Sequence, residues 1–342
     1  MTPAIFGLSG HTLTDSERDF FADADPVGYI LFARNCDTQD QLRALTDRLR
    51  AIHGRAQLLI SIDQEGGRVA RMKPPEWMPY PAGEAFDRLY QLAPASAIEA
   101  VRANAQAMGQ ELRRAGVTVN YHAPFDVRRP ETDQAIGDRA LGSDPMQVAA
   151  LGRALLDGLA AAGVAGCLKH MPGHGRATAD SHKELPVVDA SDAELEADIA
   201  PFRALAAAPI GMSAHIRFTA WDAERPATQS PYVIQTIIRE RIGFDGLLLT
   251  DDIDMQALEG SIADRSARAI AAGCDVVLNC WAKLDDMQAI ANTLPALSPN
   301  AAHRLERALA VTASADAQFD DPAAQAALLE KRDALLALSQ AA

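Results

Sequence analysis

The chain has 342 residues, a formal net charge of −14 and 48% hydrophobic residues. This acidic balance disfavours nucleic acid as a partner, because binding to phosphates needs clustered lysines and arginines. No segment approaches the roughly 18 uninterrupted apolar residues of a membrane-spanning helix, which excludes a membrane protein of that kind. The first ten residues lack a basic stretch followed by a long apolar run. We therefore expect no signal peptide and a cytoplasmic location.

Eight short apolar runs follow one another along the chain, with amphipathic stretches between them. The runs cover residues 5–8, 29–32, 58–62, 117–120, 165–169, 209–212, 246–250 and 276–279. Continuous apolar runs that alternate with helices predict a parallel sheet buried on both faces. Their number favours closure into a (β/α)8 barrel of the TIM type. An open doubly wound sheet is the alternative.

Start and stop signals mark several of the helices between these runs. The start signals are two predicted capping boxes, Thr38 with Gln41 and Ser191 with Glu194, and the pair Ser230 and Pro231. Glycines that directly follow a helical stretch are expected in the left-handed conformation that ends a helix. These glycines are Gly116, Gly163, Gly243 and Gly273.

The two ends of the predicted barrel differ from its regular middle. Only residues 13–24 can form a helix between the first two runs, so we expect the barrel to be irregular in its first units. Residues 299–342 predict one or two extra C-terminal helices on the outside. Because no linker, repeat or low-complexity tract interrupts the chain, residues 1–342 are expected to form a single catalytic domain, as a monomer. The four cysteines lack C-x-x-C spacing, which is typical of reduced core residues.

The stretch 167–182 reads C-L-K-H-M-P-G-H-G-R-A-T-A-D-S-H and follows a short apolar run. It concentrates ionisable side chains that cannot build a hydrophobic core. Gly173 and Gly175 allow backbone conformations closed to other residues, and Pro172 stiffens the entry. The segment is therefore predicted to be a loop of defined shape.

Three interpretations of this loop remain open from the residues alone. It could be a solvated surface turn, since loops are polar by default. It could be a metal site with His170, His174, Asp180 and His182 as ligands, although Pro172 and the glycines argue against the helix that would align the first two imidazoles. It could also transfer protons, with Asp180 orienting His182 and setting its tautomer.

Polar residues directly follow the predicted strands, where a barrel of this type carries its chemistry. The stretch 63–71, D-Q-E-G-G-R-V-A-R, combines acidic groups, two glycines and two arginines, a mixture suited to a polyhydroxylated ligand. Asp251 follows the run L-L-L-T, a placement that fits a nucleophile. Asp252 should face a different side, because adjacent residues of an extended chain point to opposite faces. Polar strand ends could equally reflect the ordinary composition of turns.

Three stretches resemble signatures of the family 3 glycoside hydrolases, specifically the short bacterial β-N-acetylhexosaminidases of cell-wall recycling. K-H-M-P-G-H-G…D-S-H is similar to the family's K-H-F-P-G-H-G…D-S-H, with Met171 in place of the usual Phe. D-Q-E-G-G-R-V and T-D-D-I-D-M resemble two further signatures, and together they span residues 63–255. The resemblance implies a cytoplasmic, retaining enzyme without a cofactor. Its small-molecule substrate would be a muropeptide of the GlcNAc-1,6-anhydro-MurNAc type, from which it removes the terminal N-acetylglucosamine.

The resemblance also implies roles for individual residues. Asp251 would be the nucleophile, His182 the general acid/base and Asp180 the partner of His182. The residues that match sugar-binding positions are Asp63, Arg71, Arg139, Lys169 and His170. Since a loop would carry the acid and a strand end the nucleophile, we expect the loop to move during turnover. A metal-dependent barrel hydrolase that uses the His/Asp loop, and a non-catalytic amino-sugar-binding protein, are the alternatives.

Overall fold

The computed structural model describes residues 1–313 and 321–339. Its strands are β1 Thr2–Gly7, β2 Pro26–Leu31, β3 Leu59–Ile62, β4 Val119–Asn120, β5 Ala165–Met171, β6 Val187–Val188, β7 Ile210–Ser213, β8 Arg217–Phe218, β9 Leu247–Asp252 and β10 Val276–Asn279. All except β6 and β8 form one closed parallel barrel in the order β1-β2-β3-β4-β5-β7-β9-β10. The barrel prediction is confirmed, and the open-sheet alternative is wrong because β1 pairs with both β2 and β10.

Helices occupy each connection between successive barrel strands, and in the described residues three more follow the last strand, β10. They are α1 Asp15–Ala24, α2 Gln39–His53, α3 Gly83–Leu92, α4 Pro94–Arg114, α5 Pro145–Ala161, α6 Asp192–Ala204, a π-helix Val233–Ile242, α7 Ile262–Ala272, α8 Leu284–Thr293, α9 Pro299–Ala313 and α10 Pro322–Leu336. The first unit is more regular than expected, because α1 is an ordinary helix with a complete capping box at Thr14 and Glu17. The irregularity there is a register shift between Thr2 and Ile5 in the β1–β2 pairing. None of the described helices is long and apolar enough to span a bilayer.

The helix signals are confirmed with one exception. Ser191 and Glu194 form the predicted reciprocal capping box of α6. Thr38 accepts the amide hydrogen of Gln41 at 3.2 Å, but the Gln41 side chain accepts from the Asp37 amide instead of the Thr38 amide. The predicted capping box at Thr38 is therefore only half formed: Thr38 caps α2, but Gln41 does not accept the Thr38 amide. The four glycines expected after helices all have positive φ, namely Gly116, Gly163, Gly243 and Gly273.

Apolar side chains from the barrel strands fill the interior of the barrel. Ile5, Leu59, Ile210 and Leu249 belong to this buried cluster. Leu305 and Ala308 of α9 pack against the same cluster, so α9 closes one end of the barrel. That end is the N-terminal one, because the amide of Leu297 donates to the carbonyl oxygen of Met1 at 3.0 Å. The opposite end, where the strands finish, is left for a ligand.

The predicted C-terminal helices are present in the described residues. Helix α10 lies along α4, where Gln325 donates to the carbonyl oxygen of Ala107 at 3.0 Å and Arg332 to the side chain of Asn104 at 3.2 Å. Residues 314–320 and 340–342 of this predicted region lie outside the described residues. All four cysteines are free thiols, and Cys167, Cys274 and Cys280 are buried, as expected of reduced core residues.

Candidate active site

A cavity of about 280 Å³ opens at the carboxyl ends of the barrel strands. This volume is close to the lower end of the range of about 300–1,000 Å³ that small-molecule sites occupy. The cavity is lined by every catalytic and sugar-binding residue that the sequence predicted: Asp63, Arg71, Arg139, Lys169, His170, Asp180, His182 and Asp251. The fold thus brings together side chains that are as much as 188 positions apart, from residue 63 to residue 251.

Lys169 lies near the end of β5 with a side chain that is 2% exposed. Its Nζ atom donates to Glu65 Oε1 at 2.6 Å and to the carbonyl oxygen of Tyr121 at 2.8 Å, and it lies 3.5 Å from Asp63 Oδ1. Glu65 also accepts two hydrogen bonds from Arg139, at 2.8 and 2.7 Å. Burial raises the pKa of Glu65, but the charges of Arg139 and Lys169 outweigh burial and lower it to about 2. Glu65 is therefore an anion that holds two cations at the cavity.

Asp63, beside Lys169, also forms an ion pair with Arg71 at the cavity. Arg71 Nη2 donates to Asp63 Oδ2 at 3.1 Å, and its guanidinium carbon lies 5.0 Å from the centre of the Phe32 ring. The backbone at residue 71 is fixed by Gln64, whose side-chain oxygen accepts the Arg71 amide at 2.9 Å. The D-Q-E-G-G-R-V-A-R stretch therefore supplies a charged donor and a charged acceptor, as predicted.

Asp126 holds His170 and the start of the following loop. Its Oδ2 atom accepts from His170 Nδ1 at 2.8 Å, and Oδ1 accepts from the amides of His170 and His174 at 3.2 and 2.7 Å. The hydrogen on His170 is therefore on Nδ1, which leaves Nε2 available to a ligand. Burial lowers the pKa of His174 to about 4, so this second imidazole is neutral at physiological pH.

The loop after β5 has a defined shape, but its two glycines serve different purposes. Gly173 has a φ of +140°, a conformation that other residues rarely adopt. Gly175 has no positive φ; instead, a Cβ atom there would lie 1.9 Å from the carbonyl oxygen of Val127. The expectation of a special backbone conformation is thus correct for Gly173 and wrong for Gly175. At position 175 a glycine is needed because the loop packs directly against the backbone of Val127.

His182 is supported by Asp180, as the sequence predicted. Asp180 Oδ1 accepts from His182 Nδ1 at 2.9 Å and from the His182 amide at 3.0 Å, and Lys183 Nζ lies 3.2 Å from Oδ2. Burial raises the pKa of Asp180, but these hydrogen bonds outweigh it and lower the pKa to about 2. The His182 side chain is 68% exposed. With Nδ1 engaged by Asp180, Nε2 is the ring atom that can exchange a proton.

Asp251 lies at the end of β9 and lines the same cavity. Burial raises its pKa, but the charges of His170 and His215 and the amide of Asp252 lower it to about 2. The neighbouring Asp252 also reaches the cavity wall, yet its Oδ1 atom accepts from the Asp254 and Cys280 amides. Burial raises the pKa of Asp252 well above its usual value. The pKa values of the two carboxyl groups are thus shifted in opposite directions, and Asp251 is the stronger acid.

The proposed metal ligands do not form a metal-binding group. Within residues 1–313 and 321–339, no three His, Cys, Asp or Glu side chains are placed to hold an ion together. His170 gives Nδ1 to Asp126, and His182 gives Nδ1 to Asp180. Each imidazole is instead held by a carboxylate, an arrangement suited to proton transfer and to the stabilisation of a charged imidazole.

Two carboxylates organise this site but were not among the predicted site residues. Glu65 positions Lys169 and Arg139, and Asp126 positions His170. Both follow predicted strands, so their location was visible in the sequence. Their partners are 104 and 44 positions away along the chain, and no local pattern connects them.

The fold and the cavity together define a (β/α)8-barrel enzyme with an ionised carboxylate and a carboxylate-supported imidazole at one site. The sequence model described as "Glycosyl hydrolase family 3 N terminal domain" matches residues 10–311. The chain is 36% identical over 310 residues to a β-hexosaminidase of Aromatoleum aromaticum, covering 89% of this chain and 86% of that protein. It is also 36% identical over 342 residues to one of Chromobacterium violaceum, covering 95% and 93%.

A solved structure shows the same likeness in three dimensions. NagZ from Neisseria gonorrhoeae, in complex with N-trifluoroacetyl-D-glucosamine, aligns with a TM-score of 0.85 and 31% identity over 97% of this chain and 98% of that chain. The chain therefore belongs to glycoside hydrolase family 3, in its β-N-acetylhexosaminidase group, as the three sequence signatures predicted. It is a glycoside hydrolase.

Proposed function

We propose that the protein is a retaining β-N-acetylhexosaminidase that removes terminal N-acetylglucosamine from muropeptides of the GlcNAc-1,6-anhydro-MurNAc type. The observation that carries this proposal is the presence of ionised Asp251 and Asp180-supported His182 on one cavity. The ligand of the Neisseria structure, an N-acylated glucosamine, supports the sugar class. A cytoplasmic enzyme in which residues 1–342 form one catalytic domain is part of the same proposal.

In the first chemical step, an Asp251 carboxylate oxygen attacks the anomeric carbon and forms a glycosyl ester. The bond from that carbon to the leaving oxygen breaks, and His182 gives this oxygen its proton. In the second step, His182 takes a proton from water, whose oxygen attacks the anomeric carbon and returns Asp251 as a carboxylate. Two inversions leave the configuration of the sugar unchanged, which is the meaning of retention.

An imidazole suits the acid/base role because the same group must give a proton in one step and take one in the next. An unperturbed histidine titrates at about 6.5, close to neutral pH. Most retaining glycosidases use a second carboxyl group for this task. Here Asp180 would stabilise the protonated imidazole and, by holding Nδ1, leave Nε2 free to exchange the proton.

The five remaining residues are proposed to hold the sugar. Lys169 and Arg139 are placed by Glu65, and His170 is placed by Asp126. Asp63 and Arg71 complete the group as an ion pair. Fixed donors and acceptors of this kind orient a polyhydroxylated ring, because each is already held by a neighbour before the ligand arrives.

The 68% exposure of the His182 side chain supports a loop that closes over the substrate. A general acid must come within hydrogen-bonding distance of the leaving oxygen, and such distances often become short only in the bound complex. Structures with and without a bound amino sugar would test this proposal. An unchanged loop in both would contradict it.

The activity can be tested with 4-nitrophenyl N-acetyl-β-D-glucosaminide beside the corresponding glucoside, each with and without a chelator. We expect release of nitrophenol from the first compound only, at the same rate in both conditions. Loss of activity on chelation would favour a metal-dependent hydrolase. Binding of N-acetylglucosamine without any nitrophenol release would favour a non-catalytic sugar-binding protein.

A further inference from the structure

Two carboxyl groups, those of Asp252 and Asp254, lie close together directly after the proposed nucleophile Asp251. The amide of Cys280 donates to both of them, to Asp252 Oδ1 at 3.2 Å and to Asp254 Oδ2 at 2.9 Å. Asp252 Oδ1 also accepts from the amide of Asp254 at 3.1 Å. Since both carboxyl groups contact one nitrogen atom, their charges would repel each other strongly if both were ionised.

The cations near this pair are engaged elsewhere. In the described part of the chain, neither Asp252 nor Asp254 forms an ion pair with a lysine or an arginine. The charges of Arg34 and Arg265 act on both carboxyl groups, but the two guanidinium groups donate their hydrogen bonds to backbone carbonyl oxygens. Two buried carboxyl groups in such a place favour a form in which they share one hydrogen.

The hydrogen bonds of Asp254 indicate which group carries that hydrogen. Asp254 is 5% exposed. Its Oδ2 atom accepts from the Asn279 side chain at 2.9 Å and from the amides of Cys280 and Trp281 at 2.9 and 3.1 Å, and three such donors stabilise a carboxylate. Its Oδ1 atom is buried without a hydrogen-bond partner among the described residues. A hydrogen on the carboxyl group of Asp252 supplies the missing donor.

The other ionisable groups that act on Asp252 come from the elements packed around it. Besides the two arginines, from the loop after β2 and from α7, they are Asp251 on β9 and the Cys280 thiol after β10. Burial raises the pKa of Asp252 well above its usual value, the Asp254 carboxyl group raises it further, and Asp251 adds to the effect. Burial and the two neighbouring carboxyl groups thus favour the form of Asp252 that carries a hydrogen.

The pair is connected to the nucleophile through the backbone of Asp252. Asp251 Oδ1 accepts the Asp252 amide at 2.8 Å, and His215 Nε2 donates to the Asp252 carbonyl oxygen at 3.0 Å. By accepting the amides of Asp254 and Cys280, the Asp252 side chain joins the end of β9 to the end of β10. Because Asp251 and Asp252 both line the cavity, a negative charge on Asp252 would lie beside the nucleophile and repel it.

We propose that Asp252 is a neutral carboxylic acid that donates its hydrogen to Oδ1 of Asp254, and that this pair positions the nucleophile Asp251 without placing a second negative charge beside it. This rests on the proposed function, because Asp251 is a nucleophile only in a retaining glycosidase. The pair carries one negative charge, which lies on Asp254. Both are positioning residues, since neither forms nor breaks a bond with the sugar.

Infrared spectroscopy tests the shared hydrogen without turnover. The wild-type spectrum at pH 7 minus that of Asp252→Asn should contain the C=O stretch of a protonated carboxylic acid. An asparagine accepts the same two amides through its oxygen and donates to Asp254 through its nitrogen, so this variant should keep the wild-type thermal midpoint. The same band should be lost in Asp254→Asn, although Asp252 is still present, because removal of the repelling charge lets Asp252 ionise. A difference spectrum that contains only carboxylate bands would overturn the inference.

The pH dependence of kcat/KM on the 4-nitrophenyl glucosaminide tests the effect on the nucleophile. In Asp254→Asn, the ionised Asp252 repels Asp251, so kcat/KM should be about tenfold below that of the double variant Asp252→Asn/Asp254→Asn, in which no charge remains. The loss in the single variant should develop as the pH rises from about 4 to 7 and Asp252 loses its hydrogen. The double variant should show no such loss.

Asp285→Asn removes an exposed carboxylate from the first turn of α8 and is the matched control, which should change neither the spectrum nor the pH profile. Equal losses with equal pH dependence in Asp254→Asn and the double variant would overturn the inference, because the pair would then serve the fold alone. The Asp252→Asn spectrum decides the position of the hydrogen even where Asp254→Asn is too unstable to measure. Failure of the wild type to cleave the glucosaminide would overturn the proposed function, and the infrared bands would still show whether Asp252 carries the hydrogen.

Discussion

The ammonium group of Lys169 lies 2.6 Å from a carboxylate oxygen of Glu65, and each side chain is 2% exposed. The same carboxylate accepts two hydrogen bonds from Arg139. One buried anion therefore places two cations at the wall of the active-site cavity, which it does not itself line. A buried group of this kind is stable only while its charges remain matched.

Glu65→Gln should lower the free energy of unfolding by about 3–5 kcal/mol at pH 7, because it leaves buried cations without their counter-ion. The pKa of Glu65 is lowered from 4.5 to about 2 in the folded protein. Its stabilising contribution is therefore present above the unfolded pKa and is lost as the pH falls through the folded pKa. The difference between the wild type and the variant should shrink between pH 4.5 and 2. Urea unfolding at pH 7 and at pH 3 measures this.

Glu99→Gln provides the control for this experiment. Glu99 pairs with Lys331 at 2.6 Å, but both side chains are in contact with solvent, with 41% and 51% of their surfaces exposed. An exposed pair contributes about 1 kcal/mol or less, so this variant should unfold almost like the wild type at both pH values. An equal loss of stability at pH 7 and pH 3 in Glu65→Gln would show that the charge of Glu65 is not the cause.

Asp251→Asn should reduce turnover about 10³-fold or more on every substrate, because an amide oxygen cannot form the glycosyl ester. The variant should fold normally, since within residues 1–313 and 321–339 the carboxylate accepts a single hydrogen bond, from the Asp252 amide at 2.8 Å. Nitrophenol release and the thermal midpoint measure the two properties. Asp47→Asn, which breaks an exposed pair with Arg43, should retain full activity. Comparable rates in the wild type and in Asp251→Asn would remove Asp251 from the mechanism.

His182→Ala should slow the cleavage of natural disaccharides far more than that of aryl glycosides. A sugar alkoxide needs a proton as it leaves, whereas 4-nitrophenolate leaves without one. The ratio of kcat/KM for the two substrates is therefore expected to change by about 10²-fold or more. His303→Ala, at an exposed position of α9, is the control for loss of an imidazole. If both substrates lose activity equally, His182 is not the general acid.

The barrel could be predicted from the sequence because its evidence is local. Eight apolar runs, and the polar residues after them, give the strands, their direction and the end that carries the site. The same logic placed Asp251 and Lys169 in one cavity. The alternation of side chains along a strand predicted that Asp252 faces a different side from Asp251, but both residues line the cavity. What distinguishes them is that Asp252 accepts hydrogen bonds from the Asp254 and Cys280 amides.

The features of the site that could not be predicted from the sequence depend on contacts between segments that are distant along the chain. The partnership of Glu65 with Lys169 joins strand ends 104 positions apart. The requirement at Gly175 comes from the carbonyl oxygen of Val127, which no local pattern indicates. In both cases the contact joins segments that are distant in the sequence and adjacent only in the folded chain.

Gly175→Ala tests whether the packing of the loop on the 127 backbone matters for catalysis. The added Cβ atom would lie 1.9 Å from the carbonyl oxygen of Val127, so the backbone of one segment must move. Because Asp126 holds both His170 and the His174 amide, this movement reaches the residues proposed to bind the sugar. We expect a loss of about 1–3 kcal/mol in stability, together with a lower kcat/KM on the aryl glycoside. Gly10→Ala adds the same atom where no other atom lies within 4 Å, and it should change neither property. Wild-type activity in Gly175→Ala would show that the loop does not depend on this contact, and that its shape is set by Gly173 and the Asp126 hydrogen bonds alone.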